Sequence, residues 1–590
     1  MKKTRFILLG LSLLAFTSCN NVNQESTFSI LNIVKVVIED NDYFSVNQNV
    51  YEINRGEDLN IFITFKDGFT FNFINYENYE IINNTNNIVE IKLKNVTYSL
   101  RVKINVKKVE SIISYYPNGG EFLSEEYKEN ECVNVVASIK NHLRANVSIG
   151  TDFVYRKGYV QVGWNTESDY SGTHVGLGSR ITLTETNISL YAQWVKYTTT
   201  SYFRYQEVDD GYKIISYNGP LTLDTLCIPE VIGGKNVVEL ESNLFWNVEF
   251  NNVILPSSIK RLNKNTFAHF KIGTLTFFDN IESISDDCFD NESIYVVDIQ
   301  ANLKPSFLSG NNNAQFSENL DRLIVEQDKK KIVFFAGCSF SYGLKSEEIG
   351  KAFPDYDVFN MGVIGGTLAS FQIDIISSYL KEGDIFVHAP EEMSEYQLLS
   401  SYEMEMRSFI MVEANYDLLH NTSFSNVTNF FDAFSEYTQL KRRVNSQSYD
   451  YHNDNYNKYG DIIIDRPNSS DDAYFDIETC FEISCLNETT ASNLNSTYKS
   501  LKDKGVEVYF SYAPINENAI HKLEGAAQNG NYYENFMINN ITEAKIISKL
   551  SNYIMKGKYF YDEDYHLSDE GAYIRTNNLI EDIKNERARM

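Results

Sequence analysis

Apolar and polar positions change period several times along the chain, and each change marks a new element set. From Tyr43 to Val109 the period is two. Leu59, Ile61, Ile63 and Phe65 alternate with polar neighbours, as do Val89, Ile91 and Leu93, then Leu100, Val102, Ile104 and Val106. Alternation of this kind predicts half-buried strands, with Asn95 at a tight connection. Residues 19–42 read as a tether ahead of this small β domain at 43–109.

Between 198 and 312 the period lengthens to 22. Val237, Ile259 and Ile281 are spaced by it, as are Leu240, Leu262 and Ile284, and Phe245, Phe267 and Phe289. Apolar residues at constant offsets predict a stacked solenoid in which each repeat covers its neighbour's open face. Three repeats are counted, and loss of the pattern by Asn311 predicts a C-terminal cap. The phases resemble the leucine-rich repeats of the bacterial surface-antigen type, which implies a curved binding surface or a rigid spacer.

From about 320 to 590 short apolar runs alternate with helical faces. Ile332–Ala336, Val358–Phe359, Ile385–Val387 and Val506–Tyr512 read as buried strands. Leu368, Phe371, Ile375, Ile376, Tyr379 and Leu380 share one helical face; Leu494, Tyr498 and Leu501 share another, with Gly505 a C′ stop. Such alternation predicts a parallel sheet with helices on both sides, whose ligands bind beyond the carboxyl ends of the strands. Residues 394–478 interrupt the pattern and predict an insertion roofing that edge as a substrate-selecting cap.

Residues 110–197 carry Tyr115-Tyr116-Pro117-Asn118-Gly119-Gly120, Gly158-Tyr159, Gly163-Trp164-Asn165-Thr166, Ser171-Gly172-Thr173 and Tyr191-Ala192-Gln193-Trp194 in order. The set resembles the Listeria–Bacteroides repeat of internalin-type surface proteins, which implies a β-grasp-like module. Trp164 and Trp194 are expected in its core.

The first residues add a compartment. Met1 to Arg5 is basic, Phe6 to Phe16 is apolar, and Thr17-Ser18 precedes Cys19. The apolar run is too short to span a bilayer and reads as an export signal. Small residues before Cys19 resemble a bacterial lipoprotein signal, with Phe16 where Leu is usual; this implies signal removal after residue 18, lipidation at Cys19 and an extracytoplasmic, membrane-anchored protein.

Composition then narrows the partners. Lys+Arg number 52 against Asp+Glu 80, a net charge of −28. A surface that acidic repels phosphate backbones, so no nucleic-acid partner is expected. Seven cysteines in 590 residues exclude a disulfide-built scaffold, although Cys480 and Cys485 are close enough in sequence to pair. No metal-ligand spacing and no phosphate loop is found, so no metal and no cofactor are expected.

The one catalytic pattern lies in the C-terminal third. After the first strand comes Gly337-Cys338-Ser339-Phe340-Ser341-Tyr342-Gly343, and after the second Asn360-Met361-Gly362-Val363-Ile364-Gly365-Gly366-Thr367. Near the end comes Asp562-Glu563-Asp564-Tyr565-His566. In order and spacing these blocks resemble the SGNH (GDSL-type) hydrolases, which implies a three-layer, flavodoxin-like α/β domain. The resemblance makes Ser339 the nucleophile, His566 the base and the Gly365 N–H an oxyanion donor in the block begun by Asn360. The orienting carboxylate is open between Asp562, which is favoured, and Asp564, because the family's Asp position holds Glu563. The third block lacks the family's Asn and reads His388-Ala389-Pro390-Glu391-Glu392, leaving Glu391 and Glu392 as substrate contacts or solvated side chains. Ser341 is a weaker rival nucleophile, and His388 is expected buried and hydrogen-bonded.

The expectation is therefore a multidomain surface lipoprotein: all-β modules, a short leucine-rich solenoid, then a serine esterase or acyltransferase domain. Its substrate would be an O-acyl group on a surface polysaccharide or related polymer, with a possible protein ligand on the repeats. The competing expectation is an adhesion protein whose C-terminal domain has lost chemistry. One geometric requirement separates them: Ser339 and His566 must meet above one sheet edge.

Overall fold

The fold is given by a computed structural model. It describes residues 33–589 except 40–42, 67–68, 86–87, 139–143, 147–151, 184–186, 246–247, 268–270, 286, 290–293, 303–311, 326–328, 363–368, 392–405, 413–414, 422–429, 442–454, 476–480 and 482. Cys19, Gly365, Glu392 and Cys480 therefore lie outside the described residues. The chain divides into two units, Met1–Lys107 and Lys108–Met590. Among the described residues no helix is long and apolar enough to cross a membrane.

In the first unit the period-two runs form strands as expected. Leu59–Phe65 lies between Phe44–Val46 and Ile88–Leu93, and its alternate residues are buried. Asn95 takes a left-handed φ of 50°, and its N–H donates to Asp58 Oδ1 at 2.9 Å. One boundary is corrected. Ile33–Ile38, read as tether, is a strand pairing with Val50–Asn54 and Leu100–Val102, and it buries Val34, Val36 and Ile38. Its own alternation is only three apolar residues long, too short to separate from the preceding polar stretch.

The second unit begins with a five-stranded mixed sheet over residues 110–196. Glu110–Tyr116 pairs parallel with Ile188–Lys196 and antiparallel with Val133–Ser138, and Ile188–Lys196 pairs antiparallel with Tyr159–Asn165. Both expected tryptophans are core residues: Trp164 packs on Tyr115 with ring centroids 5.0 Å apart, and Trp194 Nε1 donates to Pro117 O at 2.9 Å. A Cβ at Gly120 would lie 2.6 Å from the Trp194 ring, so that turn requires glycine.

The period of 22 becomes two parallel ladders. Phe250 pairs with Ile272 and Ile272 with Ile294 in one; Leu240 pairs with Leu262 and Leu262 with Ile284 in the other. The phenylalanines of the same period stack face to face, Phe245 on Phe267 and Phe267 on Phe289, each at 5.1 Å. Phe289 then stacks at 4.4 Å on Phe431 of the helix Phe430–Lys441. That helix comes from the middle of the predicted insertion. The described part of 394–478 thus divides. Helices Met406–Met411 and Phe430–Lys441, with the turn Tyr416–Asn421, pack into the repeats' core, whereas the stretch from Tyr456 to Arg466 lies over the sheet edge. The expectation of one removable roof is corrected: half of the insertion completes the repeat stack, because Phe289 would otherwise present an open apolar face.

The C-terminal sheet has five parallel strands in the order Tyr356–Asn360, Lys330–Phe335, Ile385–His388, Glu507–Phe510, Lys545–Ile546. Numbered along the chain this is 2-1-3-4-5, a doubly wound order whose switch point lies beside the first strand. Helices Ala369–Ser377, Glu488–Lys502 and Asp569–Arg587 pack on it, the last capped by Ser568, whose Oγ accepts from Gly571 N at 3.1 Å. Glu488–Lys502 ends at Asp503, so Gly505, with φ of 82°, stops the helix one position beyond C′. The repeats and this sheet share one continuous core, so within Lys108–Met590 the expected modules are fused by packing.

Candidate active site

The first strand runs through Ala336 and Gly337 into the short helix Cys338–Gly343. Successive helical side chains point about 100° apart, so Cys338 and Ser339 cannot face the same partner. The structure turns the cysteine toward the imidazole: His566 Nε2 lies 3.0 Å from Cys338 Sγ. Ser339 points the other way. Its oxygen is buried against the Glu391 carboxylate and makes no hydrogen bond of good geometry. The pairing expected between Ser339 and His566 is therefore corrected at its first member. The two segments do meet above the sheet edge, through the neighbouring side chain.

His566 is held on three sides. Its Nδ1 lies 2.8 Å from Asp562 Oδ1, its ring stacks on Tyr342 with centroids 3.7 Å apart and planes 6° from parallel, and only 2% of its surface is exposed. Tyr342 stands four residues after Cys338, on the same helical face, so one face supplies both the group opposite Nε2 and the platform under the ring. Asp564 is removed as orienting carboxylate. Its oxygens accept from Asn516 Nδ2 at 2.5 Å and Phe475 N at 3.2 Å. Glu563 Oε2 lies 3.6 Å from His566 Nε2, at the margin of the site.

Glu391 lies in the third block, which carries no Asn and left this residue open as a substrate contact or a solvated side chain; it is neither solvated nor free. Its carboxylate accepts the Ser339 N–H and its other oxygen lies 3.9 Å from Cys338 Sγ. Burial pushes its carboxyl above the usual carboxylate range, with the Ser339 N–H, His566 and Arg575 pulling the other way. A side chain at Gly337 would collide with this carboxylate, so glycine is needed for the approach. Asn360 has a structural job: Nδ2 donates to Phe340 O and Asp461 Oδ1, each at 2.9 Å, and Oδ1 accepts from Gly362 N at 3.1 Å. Ser341 donates its hydroxyl to Gly362 O, and His388 is fully buried with Nδ1 2.8 Å from Tyr498 Oη.

Several site residues carry no motif of their own. Arg575, fully buried, donates to Ser339 O at 2.7 Å, and burial pushes its guanidinium down to about 10. Arg466 lies under Tyr342 and pairs with Asp569 at 3.0 Å. Asp461 accepts from Ser346 N at 2.8 Å and Ser346 Oγ at 2.6 Å, tying the overlying stretch to the helix Ser346–Ala352. Tyr456 and Ile462 of that stretch cover Cys338, which is 8% exposed. The i, i+4 pair Cys338/Tyr342 was the only sequence signal that could have singled out the cysteine; the arginines had none.

Chemically, a carboxylate, an imidazole and a thiol in line can transfer a proton from sulfur to nitrogen and hold the resulting imidazolium. Residues 224–326 match, in six copies, the BspA type leucine-rich repeat region. The three repeats read from the 22-residue period undercount that array. Comparison with curated proteins finds no match to the chain. The chain carries a BspA-type leucine-rich repeat region, and that region supports a surface-binding role.

Proposed function

We propose that the C-terminal domain transfers acyl groups through a thiol, with Cys338 as nucleophile, His566 as base and Asp562 as the group that orients it. The carrying observation is the chain Asp562 Oδ1, His566 Nδ1, His566 Nε2, Cys338 Sγ, with contacts of 2.8 and 3.0 Å. In this reading the thiol proton passes to Nε2 as sulfur adds to an ester carbonyl. The tetrahedral intermediate expels the alcohol, which takes the proton back from His566. Water or a second alcohol then opens the thioester, regenerating the thiol. The Ser339 N–H would hold the oxyanion once Glu391 yields it.

The order of the three blocks supports kinship with SGNH hydrolases, with cysteine at the family's acid position taking over from serine. The substrate class remains O-acyl groups of surface glycans or related polymers, and the N-terminal signal with Cys19 supports delivery to the cell surface on a lipid anchor. The test is hydrolysis of a short-chain aryl ester by the full chain and its Cys338→Ala and Ser339→Ala variants. Cys338→Ala is expected to fall to background and Ser339→Ala to retain activity; the reverse pattern restores the serine mechanism.

A second reading, surface binding without turnover, is favoured by Glu391, whose carboxylate already occupies the Ser339 N–H that an oxyanion needs. Equal, background-level rates for all three proteins would favour it.

A further inference from the structure

Far along the chain from the thiol, three segments bring metal-binding side chains together. His174 comes from the strand His174–Val175, Asp298 from the last repeat strand Ile294–Gln300, and Asp417 from the turn Tyr416–Asn421. One donor atom from each lies within 4.8 Å of the other two. His420, one turn on from Asp417, places Nε2 3.8 Å from Asp298 Oδ1.

The surroundings are those of ligands held in place. His174 Nδ1 is hydrogen-bonded to Gln193 Oε1, an acceptor, which fixes the proton on Nδ1 and leaves the Nε2 lone pair available. Asp298 accepts from Thr276 Oγ1 at 3.1 Å and Gln300 Nε2 at 2.9 Å. Asp417 Oδ2 accepts from Gly176 N at 3.1 Å and Ser179 Oγ at 3.0 Å. Its Oδ1 is sealed from solvent and has no hydrogen-bond partner. A carboxylate oxygen buried without a donor is costly. Two carboxylates face each other here, and among the described residues neither is paired with a lysine or arginine. A cation between them removes both penalties.

We propose that His174, Asp298 and Asp417, completed by His420, bind a divalent transition-series cation of the Zn²⁺ class. Imidazole nitrogen with carboxylate oxygen suits that class better than Ca²⁺, which takes oxygen ligands. Zn–N and Zn–O bonds of about 2.0–2.1 Å need donors roughly 3.4 Å apart, so donors that lie within 4.8 Å of one another close up by at most about 1.4 Å on binding. The ion would staple three stretches distant in sequence: the sheet of 110–196, the end of the repeats and the insertion that completes them.

The experiment uses the full chain carrying Cys338→Ala, so that the thiol–imidazole pair offers no second site. After stripping with EDTA it is titrated with ZnCl₂ alone by calorimetry, and its thermal unfolding is followed with and without the metal. One Zn²⁺ per chain, with a raised Tm, is expected. His174→Gln, on an exposed side chain that leaves the fold intact, should weaken binding about 100-fold or more, and Asp298→Asn likewise. Absence of binding at about 100 µM Zn²⁺, or equal binding by His174→Gln, overturns the site. CaCl₂ binding as tightly as ZnCl₂ overturns the assignment of the ion.

Discussion

His566 stands between Cys338 and Asp562, 3.0 Å from the sulfur through Nε2 and 2.8 Å from the carboxylate through Nδ1. The same geometry separates the two aspartates that the sequence left open. Asp562→Asn should lower kcat of the aryl-ester reaction by about 10²-fold, because the imidazole loses the acceptor that fixes its tautomer. Asp564→Asn should act instead through stability, since Asp564 anchors Asn516 and Phe475 N. Measured kcat beside urea midpoints distinguishes them; loss of kcat in Asp564→Asn alone sinks the assignment.

That Cys338 rather than Ser339 faces His566 shows what a one-dimensional pattern can and cannot carry. Order and spacing of the Gly337, Asn360 and His566 blocks marked one edge of the C-terminal sheet correctly, since strand ends and the residues after them follow from local periodicity. Which of two adjacent side chains faces the base depends on helix phase, set by Gly337 and by the packing of Tyr342 under His566. The 22-residue repeat was legible because each repeat meets only its neighbours. Its end was not, because Phe431, which covers Phe289, lies 142 residues further on. Arg575 and Asp461 were equally silent, being single polar residues that matter only through contacts distant in sequence.

Glu391 should act as a pH-dependent brake. Burial raises its pKa, so it stays neutral further up the pH scale and ionises above the ordinary carboxylate range. Once ionised it places negative charge 3.9 Å from Cys338 Sγ and grips the Ser339 N–H more strongly. Glu391→Gln removes that charge while keeping the shape. Iodoacetamide alkylation of Cys338 should then run faster in the variant, with the ratio growing as pH rises and reaching about tenfold. A ratio independent of pH would show that Glu391 is not the brake.

His388 makes the fold acid-sensitive. Burial pushes its imidazole down to about 3, whereas the unfolded chain's histidine titrates near its ordinary 6.5. Between those values the unfolded chain binds a proton that the folded one refuses. Protonation therefore favours unfolding as pH falls from 6.5 toward 3, and this contribution to stability is complete above 6.5. The loss is about 1.4 kcal/mol per pH unit from this one group. Denaturant midpoints for the chain and for His388→Phe should diverge across that window, with the variant's acid limb flatter. Parallel limbs would assign the acid sensitivity elsewhere.

The insertion's structural half yields the last expectation. Phe434 is fully buried between the two elements it joins: its ring lies 5.1 Å from Phe277 of the repeats and 5.2 Å from Phe409 of the insertion's other helix. Thr438, one turn on, donates to Ile281 O at 3.2 Å, and Tyr416 donates to Asp279 Oδ2 at 3.0 Å, so polar contacts fix the register of the same surface. Truncating a buried phenylalanine costs about 3–5 kcal/mol when the surroundings cannot collapse into the space. Phe434→Ala should therefore lower the denaturant midpoint of Lys108–Met590 and expose the repeat strands to protease, with aryl-ester kcat/KM changed little under native conditions. If the helix were instead a lid over the thiol, the same substitution would leave stability nearly unchanged and alter substrate preference. The two outcomes are read from one variant, and only the first follows from a helix that closes the repeat stack.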